Sequence, residues 1–373
     1  MFEIRSEDGL ARAGVLDNGK MKIKTPFFMP VATKGSVKFL DFAGLEEIGT
    51  DCIISNSFLL SLKPGTAAIA QAGGLHKYYS WNKGIFTDSG GFQSLDGFFL
   101  QKSAEEGAFF RSPFDGKTAL LTPEDAMRIQ LELGCDVAMC LDDVPQYDED
   151  MQGIRSRTLR THSWAKRCKK EHDRLKVDDP EKRQLLFGIV QGGTDPGLRK
   201  KSAQFISTLG FDGVAIGGLA IGEPRDVMQK MVDASVPHLP KDRPRYLMGL
   251  GRPLEILDCI AKGIDCFDST FPTKNARHGT LFTWDGDLRI NQARYAKDLS
   301  PIDKRCGCPV CRRYSRSYVH HQLKLNEPTG KRLATFHNLW FMQRLMEKAR
   351  DAIQNQSFKA FLERFRKDQS SKS

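Results

Sequence analysis

Short apolar runs recur along most of the chain, and each is followed by a segment with apolar positions at helical spacing. This alternation is typical of strand–helix–strand units in a parallel sheet. It predicts eight strands, at residues 27–31, 52–56, 85–88, 137–142, 185–191, 213–217, 246–249 and 265–268. Eight such units fit a closed barrel better than an open sheet, so we predict an α/β fold of the (β/α)8 TIM-barrel type.

Local signals for helices and loops agree with this order. Thr122, followed by Pro123 and Asp125, predicts a helix start with an N-cap hydroxyl, a proline in the first turn and an acid at the third position. A second helix is predicted over residues 253–262. The intervals 88–137 and 142–185 are long, and we predict that they hold insertions at the barrel rim, including residues 94–116.

Polar or glycine residues end several of the predicted strands. They are Asp88, Asp142, Asp143, Gln191, Gly217, Gly218 and Asp268. Because the C-terminal strand ends of a barrel open onto one mouth, we expect these residues to converge there. A lone Asp after a strand is more often a helix cap or a turn residue. Several acids and a glutamine at one mouth favour an active site.

The residue types at the mouth restrict the chemistry. Paired carboxylates without His or Lys partners suit glycosidic-bond chemistry, in which one attacks or stabilises the anomeric carbon and another handles the proton. A metal phosphodiesterase would have His among them, and none of the eight His residues lies at a predicted strand end. Asp and Gln side chains beside glycine amides supply the mixed donors and acceptors that bind a purine-like base. Gly90–Gly91 and Gly217–Gly218 would let a flat ring approach closely.

Three cysteines form a compact motif near the C-terminus. Cys306, Cys308 and Cys311 have the C-x-C-x2-C spacing of a structural zinc site, which needs a fourth ligand. His320 and His321 are nearer in sequence, whereas His337 opens a long amphipathic segment that would hold a ligand rigidly. The spacing leaves these candidates open. The other six cysteines are predicted to be buried small hydrophobic residues: Cys52, Cys135, Cys140, Cys168, Cys259 and Cys266.

The charge excess is concentrated at one end of the chain. Residues 301–373 contain 16 Lys and Arg against 6 Asp and Glu, while the preceding residues contain 40 of each sign. A basic module of this kind suits binding to a phosphate backbone, although a solvated basic surface would have the same composition. We predict a catalytic barrel at residues 1–285, followed by a basic, helical zinc-binding subdomain at 286–373 that completes the barrel. The charged N-terminus and the absence of a long apolar run predict a cytoplasmic protein without a membrane anchor.

The motifs in combination resemble those of the tRNA-guanine transglycosylases. The matching segments are TDSGGFQ at 87–93, LDD at 141–143, VQGG at 190–193, GGLA at 217–220, YLMG at 246–249, FD at 267–268 and PTKNAR at 272–277, together with the Cys306, Cys308, Cys311 and His337 set. The resemblance implies a zinc-bearing (β/α)8 enzyme of queuosine synthesis. Such an enzyme exchanges the wobble guanine of tRNA for a 7-deazaguanine base, queuine or preQ1, through a covalent ribosyl-enzyme intermediate. It also implies a homodimer and His337 as the fourth zinc ligand.

The resemblance further implies roles for individual residues. Asp268 would be the nucleophile and Asp88 the acid/base, while Met248 would stack on the base. Base recognition would fall on Ser89, Gly90, Gly91, Phe92, Asp142, Gln191, Gly217 and Gly218. Contacts to tRNA would fall on Gly249, Leu250, Gly251, Arg252, Pro253, Leu254, Glu255, Thr273, Lys274, Asn275, Ala276 and Arg277.

Two other functions and one substrate question stay open. A non-catalytic RNA-binding partner subunit would lack the acids that are present here, and an unrelated retaining glycosidase would have no use for a basic tail. The commonest bacterial pattern has Asp-Glu-Cys where this chain has Asp142, Asp143 and Val144. Val144 resembles the members that accept queuine, whereas Ile221 is larger than the residue those members tend to have. We expect queuine to be at least tolerated.

Overall fold

The computed structural model describes residues 1–89, 100–178 and 183–370. These contain sixteen β-strands. In chain order they are β1 (Phe2–Asp8), β2 (Ala11–Asp17), β3 (Lys22–Thr25), β4 (Phe27–Pro30), β5 (Cys52–Asn56), β6 (Gly84–Asp88), β7 (Leu100–Ala104), β8 (Gly107–Arg111), β9 (Thr118–Leu121), β10 (Val137–Met139), β11 (Leu185–Val190), β12 (Gly213–Ile216), β13 (Arg245–Leu247), β14 (Cys266–Ser269), β15 (Thr280–Leu281) and β16 (Leu288–Arg289).

Eight parallel strands form one sheet in the order β4-β14-β13-β12-β11-β10-β6-β5. A parallel bridge between Val31 and Ile54 joins β4 to β5, and the backbone N–H of Ala32 donates to the carbonyl of Ile54 at 2.7 Å. The sheet is therefore a nearly closed barrel, and the predicted fold class is confirmed. Each predicted strand is present, with ends that differ by at most three residues. The largest difference is at β10, which ends at Met139, so that Asp142 lies in the loop beyond it.

Fourteen α-helices lie in the described part of the chain. They are α1 (Phe42–Ile48), α2 (Ser57–Leu60), α3 (Thr66–Gln71), α4 (Leu75–Tyr79), α5 (Pro123–Leu133), α6 (Met151–Asp178), α7 (Pro196–Ser207), α8 (Arg225–Ser235), α9 (Pro253–Ile260), α10 (Phe271–Arg277), α11 (Pro309–Arg313), α12 (Arg316–Lys324), α13 (Pro328–Gln354) and α14 (Phe358–Ser370). None of them is both long enough and apolar enough to cross a membrane.

The predicted start of α5 is confirmed in detail. Thr122 is the N-cap and its hydroxyl accepts from the N–H of Asp125 at 3.1 Å, while Asp125 Oδ2 accepts from the N–H of Thr122 at 3.3 Å. This reciprocal pair is a capping box, and it satisfies two backbone donors that a helix start leaves without partners. It fixes the entry of a helix whose buried face packs outside the barrel.

The barrel interior is a small apolar core of its own. It includes Phe27, Phe86, Phe187 and Tyr246 from the strands, and Met21 from the β2–β3 connection. Phe86 packs edge-on against both Phe187 and Tyr246. The antiparallel β1-β2-β3 sheet covers this core at the N-terminal end of the strands. The opposite, C-terminal end is the mouth.

The two long intervals contain different structures. In the first, β7, β8 and β9 form a separate antiparallel sheet, as expected of an insertion. In the second, the expectation of an insertion is wrong, because α6 alone spans 28 residues between β10 and β11. This helix belongs to the barrel's own alternation of strand and helix.

The C-terminal helices pack onto the barrel. Helix α13 contacts α10, β2 and β4. Its apolar residues Leu339, Met342 and Met346 are fully buried. The sequence analysis placed His337 at the start of this helix, and this was wrong. The helix begins nine residues earlier, at Pro328. The proline fits the first turn, where its missing N–H costs no hydrogen bond.

Candidate active site and metal cluster

Six adjacent strands bring the predicted site residues to the mouth. In the sheet order β14-β13-β12-β11-β10-β6, each strand ends within three residues of one of them. The residues, taken in the same order, are Asp268, Met248, Gly217, Gln191, Asp142 and Asp88. Residues that are far apart in sequence therefore form one continuous arc at the mouth.

Asp142 and Gln191 form the centre of this arc. The Nε2 of Gln191 donates to Oδ2 of Asp142 at 2.7 Å, and both side chains are buried. Burial raises the pKa of Asp142 to about 7, and the nearby charge of Asp143 acts in the same direction, while the Gln191 hydrogen bond opposes both. Among the described residues, Oε1 of Gln191 has no hydrogen-bond partner. A buried acceptor of this kind is expected to bind a ligand or water.

Gly217 and Gly218 lie against the same amide. A Cβ on Gly217 would come within 2.6 Å of Nε2 of Gln191, and one on Gly218 within 2.3 Å of Oε1. Gly218 also has φ +64°, in the left-handed region that favours glycine. A larger residue at either position would displace the Gln191 amide, and at Gly218 it would also strain the backbone. The backbone of both glycines borders the space beside Gln191, which we call the recognition cleft.

Asp268 is held by neutral donors from the neighbouring strand. The hydroxyl of Tyr246 donates to Oδ1 of Asp268 at 2.5 Å, and the N–H of Gly249 donates to the same oxygen at 2.8 Å. Burial raises the pKa of Asp268, and these two hydrogen bonds oppose the rise. The pKa of Tyr246 lies well above its ordinary value because the phenol is buried and, in addition, faces Asp268 and Asp88. The carboxylate thus has a fixed orientation, and the described residues place no cation on this oxygen.

Asp88 ends β6 and lies next to Asn56 of β5 in the parallel register. Its backbone carbonyl accepts from the hydroxyl of Ser57 at 2.7 Å. The following Ser89 is buried, and its hydroxyl donates to the carbonyl of Cys140 at 3.1 Å. Three further predicted base-binding residues lie outside the described residues: Gly90, Gly91 and Phe92.

Asp143 differs from its neighbour Asp142, although both follow β10. Its carboxylate contacts the guanidinium groups of Arg157, at 2.7 Å, and Arg160, and accepts from the hydroxyl of Ser103 at 2.9 Å. The backbone N–H of Asp143 donates to Thr161 at 3.0 Å. These partners tie the loop after β10 to α6 and to the inserted sheet, so Asp143 is part of the scaffold.

The predicted tRNA contacts fall on two neighbouring segments after β13 and β14. Gly251 packs so closely against Ser269 and Phe271 that a Cβ there would lie 2.6 Å from each of their Cβ atoms. Arg252 and Lys274 are exposed, and the Arg252 guanidinium lies 5.2 Å from the ring centre of Phe271. Five others are buried and can meet a ligand only through small exposed areas or backbone atoms: Leu250, Gly251, Pro253, Thr273 and Ala276.

The two residues that bear on base choice have different exposure. Val144 is 6% exposed and lies two residues after Asp142 in the same loop. Ile221 is partly exposed, and its N–H donates to Oε2 of Glu223 at 3.0 Å. A substitution at Val144 would therefore act through packing, whereas Ile221 is open to direct contact.

The three clustered cysteines meet His337, as the resemblance implied. The ligand atoms of Cys306, Cys308, Cys311 and His337 all lie within 4.8 Å of one another. Cys308 is the N-cap of α11, and its sulfur accepts from the N–H of Cys311 at 3.3 Å. Three sulfurs and an imidazole nitrogen are the donor set of a tetrahedral metal site, so this cluster can bind a metal ion.

The histidine tautomer also fits a ligand role. Nε2 of His337 lies 2.8 Å from the carbonyl of Phe282, which leaves Nδ1 directed at the sulfurs. Such a carbonyl contact orients a ligating imidazole. His320 is engaged elsewhere, with Nδ1 at 2.7 Å from the carbonyl of Ile290. The other six cysteines are buried, as predicted.

Two residues at the mouth were not identified from the sequence. Tyr246 was placed in a strand but given no role, although a buried tyrosine normally requires a partner for its hydroxyl. Arg199 was not considered at all. Its spacing from Ser202, Ala203 and Ile206 places it on the buried face of α7, where a cation is unusual, and this was the available signal.

Comparison with known proteins shows extended similarity. The family model described as queuine tRNA-ribosyltransferase matches residues 7–371. The queuine tRNA-ribosyltransferase of Novosphingobium aromaticivorans is 44% identical over 367 residues, which cover 98% of both chains. That of Thermotoga neapolitana is 45% identical over 362 residues, or 96% of this chain and 95% of the relative. That of Bacillus licheniformis is 44% identical over 355 residues, or 95% and 92%. The range matched by the family model spans both the mouth and the cysteine–histidine cluster.

Proposed function

The chain belongs to the queuine tRNA-ribosyltransferase family, and on this premise we propose that it replaces the wobble guanine of tRNA with a 7-deazaguanine base through a covalent ribosyl-enzyme intermediate. The protein is a tRNA-guanine transglycosylase by family. The observation that carries the detailed proposal is that the buried Asp142–Gln191 pair, which borders the recognition cleft, and an oriented carboxylate, Asp268, lie on one barrel mouth.

The recognition cleft matches the edge of guanine. Guanine offers two adjacent donors, its N1–H and its 2-amino group, next to an acceptor, O6. Asp142 accepts from the donors, while the backbone N–H groups at Gly218 face O6. The unpartnered Oε1 of Gln191 adds a further acceptor for the base. Met248 stacks on the ring, with Ser89, Gly90, Gly91 and Phe92 completing the site.

Asp268 is the nucleophile in this mechanism. Tyr246 and Gly249 both use Oδ1, so Oδ2 attacks C1′ of the ribose. The N-glycosidic bond breaks, and its electron pair passes to N9 of guanine while Asp88 delivers a proton to the departing base. Asp88 then removes a proton from the incoming base, whose nitrogen attacks C1′ and releases the Asp268 carboxylate. Two displacements at one carbon restore the original configuration.

A guanine-exchange assay tests this proposal. The purified protein is incubated with unmodified tRNA and radiolabelled guanine, and label in precipitated tRNA is counted. Incorporation is expected with the wild-type protein, and a denaturing gel should show a protein–RNA adduct. We expect Asp88→Asn to lose exchange while some adduct survives. A non-catalytic partner subunit or a glycosidase on the same fold would incorporate no label at all.

We propose that the metal cluster binds one structural zinc ion per chain. Cys306, Cys308, Cys311 and His337 would supply four protein ligands, which leave no open position for water or substrate, so the ion would hold the C-terminal fold together. Metal analysis of Cys308→Ser should show loss of zinc, and thermal unfolding of the same variant should show a lower melting temperature. His321→Ala is the matched control and should keep its zinc. Zinc retained without His337 but lost without His321 would refute this ligand set.

The choice of incoming base follows from Val144 and Ile221. We propose that queuine is at least tolerated, since a buried valine replaces the thiol found in the commonest bacterial pattern. Competition with labelled guanine provides the measurement. Inhibition by queuine supports the proposal, whereas strong inhibition by preQ1 with none by queuine would leave Val144 as a neutral packing residue.

We further propose a cytoplasmic homodimer in which residues 286–373 form a zinc-bearing subdomain and contribute to the interface. The basic excess of the C-terminal part and the exposed Arg252 and Lys274 would then bind the anticodon arm of tRNA. Sedimentation analysis should give twice the mass of one chain. Arg252→Gln with Lys274→Gln should raise the KM for tRNA and weaken its salt dependence, with the KM for guanine unchanged. A monomeric, fully active protein would contradict the dimer.

A further inference from the structure

Arg199 is the best-connected buried cation in the described part of the mouth. It extends from α7 and is fully buried, with 0% of its surface exposed. Its guanidinium donates to four backbone carbonyls at the end of β11 and in the loops after β11 and β12. These are Gly193 at 2.8 Å, Val190 at 3.3 Å, Gly217 at 2.7 Å and Gly218 at 3.0 Å.

Burial of the Arg199 cation lowers the folding free energy gain relative to an apolar residue at the same position. The ion pairs of the described residues do not include Arg199, and burial lowers its pKa to about 9, with the charge of Glu223 acting weakly in the opposite direction. Desolvating a cation that forms no ion pair is unfavourable even when its hydrogen bonds are made. A buried arginine at this place therefore calls for a benefit other than stability.

The benefit lies in how the guanidinium orients two peptide groups. In a trans peptide the C=O and the following N–H point in opposite directions. Because Arg199 holds the carbonyls of Gly217 and Gly218, the N–H groups of Gly218 and Leu219 are directed away from Arg199. Arg199 also holds the carbonyl of Val190, next to Gln191, so both loops that border the Asp142–Gln191 pair share one anchor.

We propose that Arg199 is a positioning residue for base binding. It fixes the peptide groups after Gly217 and Gly218 so that two consecutive N–H groups face the cleft as donors for a carbonyl oxygen on the base. It also holds the backbone beside Gln191, so that the Gln191 side chain stays within reach of Asp142. Consecutive N–H groups of this kind form a binding site for an oxygen that carries partial negative charge. This inference rests on the proposed guanine exchange, because it assigns a partner to the base of that reaction.

Arg245 provides a matched control at the other end of the barrel. It starts β13, is 7% exposed, and donates to the carbonyls of Pro240 at 3.3 Å and Gly263 at 3.5 Å. Burial lowers its pKa to about 10. Both arginines are thus buried and bound to backbone carbonyls, but only Arg199 borders the cleft.

The test compares Arg199→Gln, Arg199→Lys and Arg245→Gln for melting temperature and for the separate KM values of guanine and tRNA. We expect Arg199→Gln to raise the KM for guanine by about tenfold to a hundredfold, as loss of a supporting contact does in other sites. The KM for tRNA should stay within about twofold, and Arg199→Lys, which keeps the charge and some donors, should recover part of the loss. Arg245→Gln should lower the melting temperature and leave both KM values unchanged.

The outcomes separate this inference from the proposed function. If the wild-type protein exchanges guanine and both Arg199 variants keep the wild-type KM for guanine, Arg199 is only structural and the inference is wrong. If Arg199→Gln does not fold, Arg199→Lys decides the question by the same KM comparison. If the wild-type protein itself exchanges no guanine, the proposed function fails first.

Discussion

Two acids on one strand show how the ends of this barrel differ. Asp265 lies just before β14, and Asp268 lies within it three residues later. Asp265 is bound by the guanidinium of Arg12 through both of its oxygens, and the N–H of Arg245 donates to it at 2.7 Å. Asp268 is bound through one oxygen by a phenol and a backbone N–H. Burial raises the pKa of both, but only Asp265 is opposed by a full positive charge.

The difference indicates what each acid is for. At the N-terminal end the protein supplies its own cation, and Arg12 also bonds the carbonyls of Lys241 and Arg243, so the acid joins distant parts of the chain. At the mouth, hydrogen bonds orient the acid, and no cation among the described residues is paired with it. An oxocarbenium-like C1′ of the substrate would provide the missing positive charge in the transition state. The first acid stabilises the fold, and we propose that the second stabilises the reaction.

The largest expected effect is that of Asp268→Asn. An amide cannot attack C1′, so guanine exchange should fall by more than about 10⁴-fold, as for loss of a nucleophile elsewhere. The protein–RNA adduct should disappear with it, while the melting temperature should stay at or above that of the wild type because a buried charge is removed. Exchange at a near-wild-type rate would remove Asp268 from its proposed role.

Asp265→Asn should show the reverse behaviour. It leaves the Arg12 guanidinium buried without its anion, which we expect to cost about 3–5 kcal/mol of folding free energy. Urea unfolding gives this value, and guanine exchange by the protein that remains folded should have an unchanged KM. Asp226→Asn, which breaks an exposed pair with Lys230, is the control and should leave the unfolding midpoint unchanged. If Asp265→Asn were as stable as this control, the contrast between the two ends would fail.

The eight barrel strands were predictable from sequence because they depend on local patterns, whereas the β1-β2-β3 sheet at the N-terminal end was not predicted. A buried parallel strand is a short apolar run, and the β5 bounds, Cys52–Asn56, agree with the prediction to the residue. The predicted β10 is three residues too long at its C-terminal end. Cys140 and Leu141 are buried and apolar like the strand residues, but they lie beyond Met139, where the strand ends. Apolar character records burial and does not record where hydrogen-bonded pairing stops.

The mouth was predictable only in part. Asp142, Gln191 and Asp268 stand at strand ends, so the barrel rule placed them together, but their roles remain predictions. Tyr246 and Arg199 act through partners that are distant in sequence, 22 residues away for Asp268 and 18 and 19 residues away for Gly217 and Gly218. Side-chain contacts of this range depend on the register between strands. No spacing rule within one segment reports that register.

Asp142→Asn should separate the demands of binding and stability at the mouth. We expect about a hundredfold loss in kcat/KM for guanine, because an amide presents one acceptor and one donor where the base needs two acceptors. The same change should raise the melting temperature at pH 8. The folded pKa of Asp142, about 7, lies above its ordinary value of 3.8, so wild-type stability falls as pH rises through that interval. The gain in the variant should therefore be small at pH 4 and full above pH 7, and thermal scans at both values measure it.

The smallest expected effect is a pH dependence of guanine affinity, which tests the protonation of Asp142 apart from the chemistry of Asp268. Guanine binding needs the ionised form of Asp142, so affinity should fall as pH drops through about 7. For a pKa near 7 the ionised fraction changes by about tenfold between pH 8 and pH 6, and the dissociation constant should change by the same factor. Calorimetry with Asp268→Asn as the background avoids turnover and the titration of Asp268, and guanine itself does not titrate in this interval. Adding Asp142→Asn to that background should make the weaker affinity independent of pH. Equal affinity at pH 6 and pH 8 with Asp142 intact would show that the carboxylate does not accept from the base, and the recognition cleft would then depend on Gln191 and the Gly218 backbone.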